Sequence, residues 1–156
     1  MNYNKSFKFL KSLPKKLNNF YKKNSKFNFK IDNKSKTIKN FDPVTNIDRG
    51  FEKYIRSLIH KSFPNDSVIG EEFADEFSSS NCQWCIDPID GTRAFIIGAP
   101  TWSNLIGLSF QDKSILGLAN FPELDKYYIS NKKKSFVIKN KKKLILKSSK
   151  NNNLKT

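Results

Sequence analysis

Between residues 46 and 62 the apolar side chains fall at Ile47, Phe51, Tyr54, Ile55, Leu58 and Ile59. That is the i, i+4, i+7, i+8, i+11, i+12 stripe of an amphipathic helix. Thr45 is its natural N-cap, with Asp48 three residues on, where a capping-box acid belongs. Pro64 and Asn65 stop it, and His60 falls on the polar side as a solvated surface residue. Upstream, Phe7, Leu10, Leu13, Leu17, Phe20 and Tyr21 keep near-helical spacing. Pro14 interrupts that pattern and predicts a break, with a second helical segment starting there. Residues 27–40 alternate weakly at Phe27, Phe29 and Ile31 before the turn-like DNKS, which reads as an irregular hairpin.

Beyond residue 66 the period shortens. Ser67–Gly70 reads as a short strand ending in Glu71 and Glu72, FADEFSSSN as a polar loop, and Trp84–Ile86 as a buried strand that ends at Asp87. Asn104–Phe110, Ser114–Phe121, Tyr127–Ser130, Ser135–Ile138 and Lys143–Leu146 alternate like strands, separated by the turns QDK, PELD, NKKK and NKK. The pattern predicts an α+β fold of N-terminal helices packed on an antiparallel sheet. One domain is expected over 1–147, followed by a polar tail at 148–156.

Charge changes the picture less than its total suggests. The net charge of +15 invites a nucleic-acid reading. Yet residues 1–40 and 126–156 carry 23 of the 29 basic residues and a single acid, Asp32, whereas residues 41–125 carry 6 bases and 13 acids. A basic coat around an acidic centre is not the layout of a nucleic-acid groove. Only Arg49, Arg56 and Arg93 are arginines, the residue that bidentate recognition favours. No specific nucleic-acid partner is expected, and Lys132–Lys134 and Lys141–Lys143 read as turns and solvated strand ends. Cys82 and Cys85 lack a second pair or a suitably placed histidine for zinc, so they read as reduced thiols. No apolar run approaches the ~20 residues of a membrane helix. The expectation is a soluble cytoplasmic protein with no membrane partner.

The candidate chemistry lies in CIDPIDGTRAFIIGAP, residues 85–100, where two acids interrupt an apolar run. Pro88 suits position i+1 of a tight turn, which would bring Asp87 and Asp90 within ~7 Å. Like charges that close take up a proton or hold a cation between them. Hard oxygen donors point to Mg²⁺, with Glu71 at the preceding strand end as a third carboxylate. Gly91 and Thr92 offer backbone N–H groups at a helix start, a phosphate site. Together these suggest metal-assisted phosphoester hydrolysis. Plainer readings stand beside this one: Asp48 as a cap only, Glu71 and Glu72 as solvated loop residues, Asp87 and Asp90 as turn formers, and Lys34 as a surface lysine.

DPVTNID (42–48), IGEE (69–72) and DPIDGT (87–92), in this order and spacing, resemble the inositol monophosphatase superfamily of Mg²⁺-dependent phosphomonoesterases. Within it, DGTRAFIIGAPTW resembles the histidinol-phosphatase branch, and the resemblance runs from about residue 7 to the NKKKLILKS stretch. It implies the first half of an αβαβα layered fold and a small phosphorylated alcohol as substrate. The implied Mg²⁺ ligands are Glu71, Asp87, the Ile89 carbonyl and Asp90. The implied water activators are Glu71 and Thr92, with Asp48 behind Thr92 or on a further metal. Asp90 and the Gly91 and Thr92 amides would hold the substrate. Lys34 sits roughly where the family has an entrance lysine, and Arg93 has no assignable role. The superfamily also has a second α/β half with a W-D-x-A-A-G-like motif, whose Asp binds metal; no such motif occurs here. A fragment, a truncated product or one piece of a split protein is therefore expected, homodimeric when full-length and poorly soluble or nearly inactive in this form. Histidinol-phosphate phosphatase is the leading reading. Inositol-1-monophosphatase and a catalytically incomplete metal-binding or regulatory subunit are the alternatives.

Overall fold

The computed structural model describes residues 1–24, 30–33 and 43–148. The elements run α1 (Tyr3–Asn24), β1 (Ile31–Asn33), β2 (Pro43–Thr45), α2 (Asn46–Ser62), β3 (Ser67–Ile69), β4 (Cys82–Asp90) and α3 (Thr92–Ile96). They continue with β5 (Ser103–Phe110), β6 (Lys113–Phe121), a 3-10 turn (Pro122–Leu124), β7 (Lys126–Asn131), β8 (Ser135–Lys139) and β9 (Lys142–Leu146). Seven strands form one sheet in sequence order from β3 to β9, and β1 pairs with β2 apart from it. The fold is α+β, as the hydrophobic pattern predicts. Lys34, most of the hairpin expected at 27–40, and residues 149–156 of the expected tail lie outside the described residues.

Four expectations need correction. The helix does not break at Pro14: α1 continues through it, with Leu10, Leu13, Pro14 and Leu17 all buried. Proline forfeits one backbone bond, but here it sits on the apolar stripe, and burying that stripe outweighs the loss. The sheet is mixed rather than antiparallel, because β3 runs parallel to β4. Parallel neighbours need a long crossover, which the loop after β3 supplies. That loop is also not a free polar segment. Val68 and Glu76 exchange two backbone hydrogen bonds of 2.8 Å, which covers the open edge of β3. Finally, His60 is not simply solvated: its Nε2 lies 2.6 Å from a Glu76 carboxylate oxygen.

The core lies between the helices and one face of the sheet. Leu10, Leu13, Leu17, Phe51, Ile55 and Ile59 meet Trp84, Ile86, Ile106, Leu108 and Leu118. Phe9 and Phe63 both pack on the Trp84 ring at 5.3 Å between centroids. α2 begins where Thr45 predicts, with the Thr45–Asp48 capping box closed on both sides. The face of the sheet turned from the helices bears a shallow apolar cleft of about 590 Å³, lined by Cys85, Leu105, Gly107 and Gly117 among others. Cys82 is buried and Cys85 exposed, both as free thiols, so the pair points to opposite faces of β4.

Candidate active site

Asp87 and Asp90 do not flank a turn. β4 runs unbroken to Asp90, and its pairing with β5 slips between Asp87 and Asp90. This is a bulge, and it does the work expected of the turn. In a straight strand residues three apart face opposite ways. Here Pro88 and Ile89 are buried in succession, so the alternation skips one step and both aspartates lie on the side away from the core. Proline is suited to such a position because a bulge frees it from donating to the ladder. The bulge also leaves the Pro88 carbonyl without its ladder partner. Asn104 Nδ2 donates to it at 2.7 Å, while Asn104 Oδ1 accepts from Asn120 Nδ2 at 2.9 Å. Both asparagines are buried, so this polar chain fixes the bulge from within the sheet.

A cleft of about 280 Å³ opens beside the bulge, lined by Glu71, Asp87, Ile89, Asp90, Gly91, Thr92 and Arg93. The structure thus gathers into one cleft every proposed ligand and activator except Asp48, which lies directly behind it. Thr92 Oγ1 is 3.1 Å from the Ile89 carbonyl and 3.3 Å from Asp48 Oδ1. Asp48 Oδ2 accepts from the Thr45 backbone N–H at 2.9 Å and is also bonded to the Thr45 hydroxyl. Asp48 is therefore both helix cap and support for Thr92. Burial, the largest influence, pushes its carboxyl above the usual aspartate range, against the opposing pull of its hydrogen bonds to Thr45, its own backbone and Thr92. Ser103 Oγ donates to Asp90 Oδ2 at 3.3 Å. Gly91 holds φ at +84° ahead of α3, a left-handed conformation that favours glycine and lets Thr92 turn back toward Asp48.

Carboxylates from three positions and one backbone carbonyl form an all-oxygen donor set, which suits Mg²⁺ and fits neither zinc nor copper well. Among the described residues, however, no three acidic, histidine or cysteine side chains already converge as a metal cage. The Glu71 side chain is exposed at the rim.

Sequence reasoning missed Glu52 and Arg56. Glu52 is wholly buried, and its carboxylate accepts from the backbone N–H groups of Glu71, Glu72 and Phe73 at 3.0, 2.7 and 3.3 Å. Arg56 Nε donates to it at 2.9 Å. The signal was there: Asp48, Glu52 and Arg56 form an i, i+4, i+8 ladder flanking the apolar stripe of α2.

The chain is similar to several known proteins. A histidinol-phosphatase of Chlorobaculum parvum is 45% identical over 86 residues, covering 55% of this chain and 33% of that protein. A Nus factor SuhB of Haemophilus influenzae is 36% identical over 109 residues, covering 69% of this chain and 40% of its own length. In three dimensions, an IMPase/NADP phosphatase crystallised with Mg²⁺ and phosphate superposes with a TM-score of 0.74 at 21% identity, over 85% of this chain and 51% of that one. The chain thus spans about a third of the curated relatives' length and about half of the solved one. The inositol monophosphatase family profile matches residues 3–156, nearly the whole sequence, and the chain belongs to that family.

Proposed function

We propose that the chain carries the metal and water-activating side of a Mg²⁺-dependent phosphomonoester hydrolase acting on histidinol phosphate. The observation that carries this reading is the bulge in β4, which sets Asp87 and Asp90 on one side of the strand and opens them to the cleft shared with Glu71 and Thr92. Glu71, Asp87, Asp90 and the Ile89 carbonyl would hold the metal. When bound, Mg²⁺ would supply charge to offset the phosphoryl oxygens and would lower the pKa of an attacking water.

The chain's own residues set up the rest. Asp48, when ionised, accepts a hydrogen bond from the Thr92 hydroxyl and so turns the Thr92 oxygen lone pairs toward the cleft, where they can accept from a water. Glu71 at the rim takes that water's proton as general base. The Gly91 and Thr92 backbone N–H groups orient the phosphate, and Asp90, steadied by Ser103, contacts the substrate. The alcohol side of the pocket and a homodimer interface are proposed only for a protein of the relatives' length. Histidinol phosphate is preferred over inositol phosphate because DGTRAF follows the strand and because the relative at 45% identity is named a histidinol-phosphatase.

Phosphate release from histidinol phosphate and inositol 1-phosphate tests the reading, with Mg²⁺ and with chelator. The assay uses the chain alone and the chain extended by the part of a histidinol-phosphatase relative beyond the match. Mg²⁺-dependent turnover of histidinol phosphate by the extended protein is expected. Chelator-resistant turnover would refute the mechanism, and a preference for inositol phosphate would refute the substrate. Metal binding with no turnover in either form would favour a metal-binding or regulatory subunit.

A further inference from the structure

We propose that Glu52 is a positioning residue for the Glu71 carboxylate, with Arg56 as the clamp that holds Glu52 in place. The inference rests on the reading of the cleft as a metal site and assigns a role to two residues that do not line it. Glu52 is 0% exposed, yet both of its carboxylate oxygens are in use. Oε2 gathers the Glu71 and Glu72 N–H groups, and Oε1 takes the Phe73 N–H and Arg56 Nε. Three successive backbone donors wrapped on one anion fix the turn that follows β3. The first of those donors belongs to the residue whose side chain lines the cleft beside Asp87.

Arg56 extends the clamp outward. It is 5% exposed, its Nη1 donates to Glu76 Oε1 at 2.8 Å, and its Nη2 donates to the Phe73 carbonyl at 3.3 Å. The same turn is therefore held through its amides by Glu52 and through a carbonyl by Arg56. Glu76 in turn reaches His60, so the chain of contacts runs from the surface to Glu71.

A buried ion pair is a poor device for stability alone, since well-packed apolar side chains often serve as well or better. Here the pair faces the backbone of a candidate metal ligand. Partners behind a ligand orient it, and their loss weakens metal binding roughly 10- to 100-fold. Gly70 completes the fit: a Cβ there would fall 2.0 Å from Glu52 Oε1, so the glycine leaves room for the carboxylate to reach the amides behind it.

The test compares wild type with Glu52→Gln and Glu76→Gln by two measurements on the whole chain. Hydrogen exchange over residues 70–76, read by mass spectrometry without metal, reports the turn. Mn²⁺ affinity, read by electron paramagnetic resonance, reports the ligand. Glu52→Gln is expected to raise exchange over 70–76 and to weaken Mn²⁺ at least tenfold, with β4–β6 exchange and far-UV circular dichroism unchanged. Glu76→Gln, at a half-exposed side chain, keeps the test decisive if Glu52→Gln fails to fold; it is expected to move both readouts the same way by a few-fold. A folded variant with wild-type exchange at 70–76, or with raised exchange but wild-type Mn²⁺ affinity, would overturn the proposal by leaving Glu52 a purely structural buttress. If wild type itself binds no Mn²⁺, the metal reading fails. The positioning role then falls with it, whereas a wild type that binds Mn²⁺ and a folded Glu52→Gln that binds it equally well overturn the positioning role alone.

Discussion

Gly70→Ala should destabilise this protein at a position where the same change ordinarily helps. The Gly70 φ is not in the left-handed region, so alanine can adopt its backbone. Such a substitution normally stabilises by about 0.4–1 kcal/mol, because it restricts the unfolded chain. The structure reverses the sign. The new Cβ would lie 2.0 Å from Glu52 Oε1, 2.4 Å from Glu52 Cδ and 2.7 Å from Arg56 Nη2. A free glutamate would swing away at little cost. This one is buried and holds three backbone N–H groups and a guanidinium. Moving it breaks a buried charge pair, a loss of about 3–5 kcal/mol. The net expectation is a destabilisation of about 2–4 kcal/mol. Urea unfolding of wild type, Gly70→Ala, Glu52→Ala and the double variant measures it. In the Glu52→Ala background the two carboxylate contacts are gone and only Arg56 Nη2, the far end of a side chain freed from its Glu52 partner, has to give way, so Gly70→Ala should cost much less there than in wild type. A neutral Gly70→Ala in the wild-type background would refute the close approach, and equal losses in both backgrounds would refute its cause.

Other outcomes follow from the same geometry. Asn104→Leu removes the donor to the Pro88 carbonyl and should cost roughly 1–3 kcal/mol in urea unfolding, because a buried carbonyl loses its partner. Asp48→Asn should flatten the pH dependence of stability. The folded carboxyl lies above the ordinary aspartate value of 3.8, so its contribution is fully present below 3.8 and is lost as pH rises through the raised folded value. The wild-type-minus-variant difference in unfolding free energy should therefore fall across the window just above pH 3.8, and a rise there would show the shift to be downward. Thr92→Val keeps the shape but removes the hydroxyl that links Asp48 to the cleft; it should lower kcat roughly 100-fold or more in the Mg²⁺-dependent assay while leaving KM nearly unchanged.

What the sequence made legible was local. Thr45, Asp48 and the stripe from Ile47 to Ile59 defined α2 to its ends, because capping and periodicity act within a few residues. The strands after residue 102 emerged as expected, since alternation and turn residues are also short-range. What failed depended on partners distant in sequence. Pro14 stays helical because its stripe is buried against the sheet. Asp87 and Asp90 reach one cleft through a bulge whose stabilising donor, Asn104, lies on the next strand. Glu52 shows nothing in its immediate neighbourhood to mark it as an anchor; its partners, 19 to 21 residues on, make it the anchor of the Glu71 turn. The motifs named the candidate site residues, and the tertiary contacts showed which others hold them.

Glu71, Asp87, Asp90 and the Ile89 carbonyl are proposed to hold one divalent ion. Calorimetric titration of Mg²⁺ and of Mn²⁺ into wild type and Asp90→Asn tests it most directly. Asp90 contacts only Ser103 among the hydrogen bonds described for its side chain, so the fold should survive the change. Saturable binding to wild type is expected, with a loss of at least about tenfold in affinity in Asp90→Asn, as removal of a charged ligand requires. Equal affinity in the two proteins would contradict it.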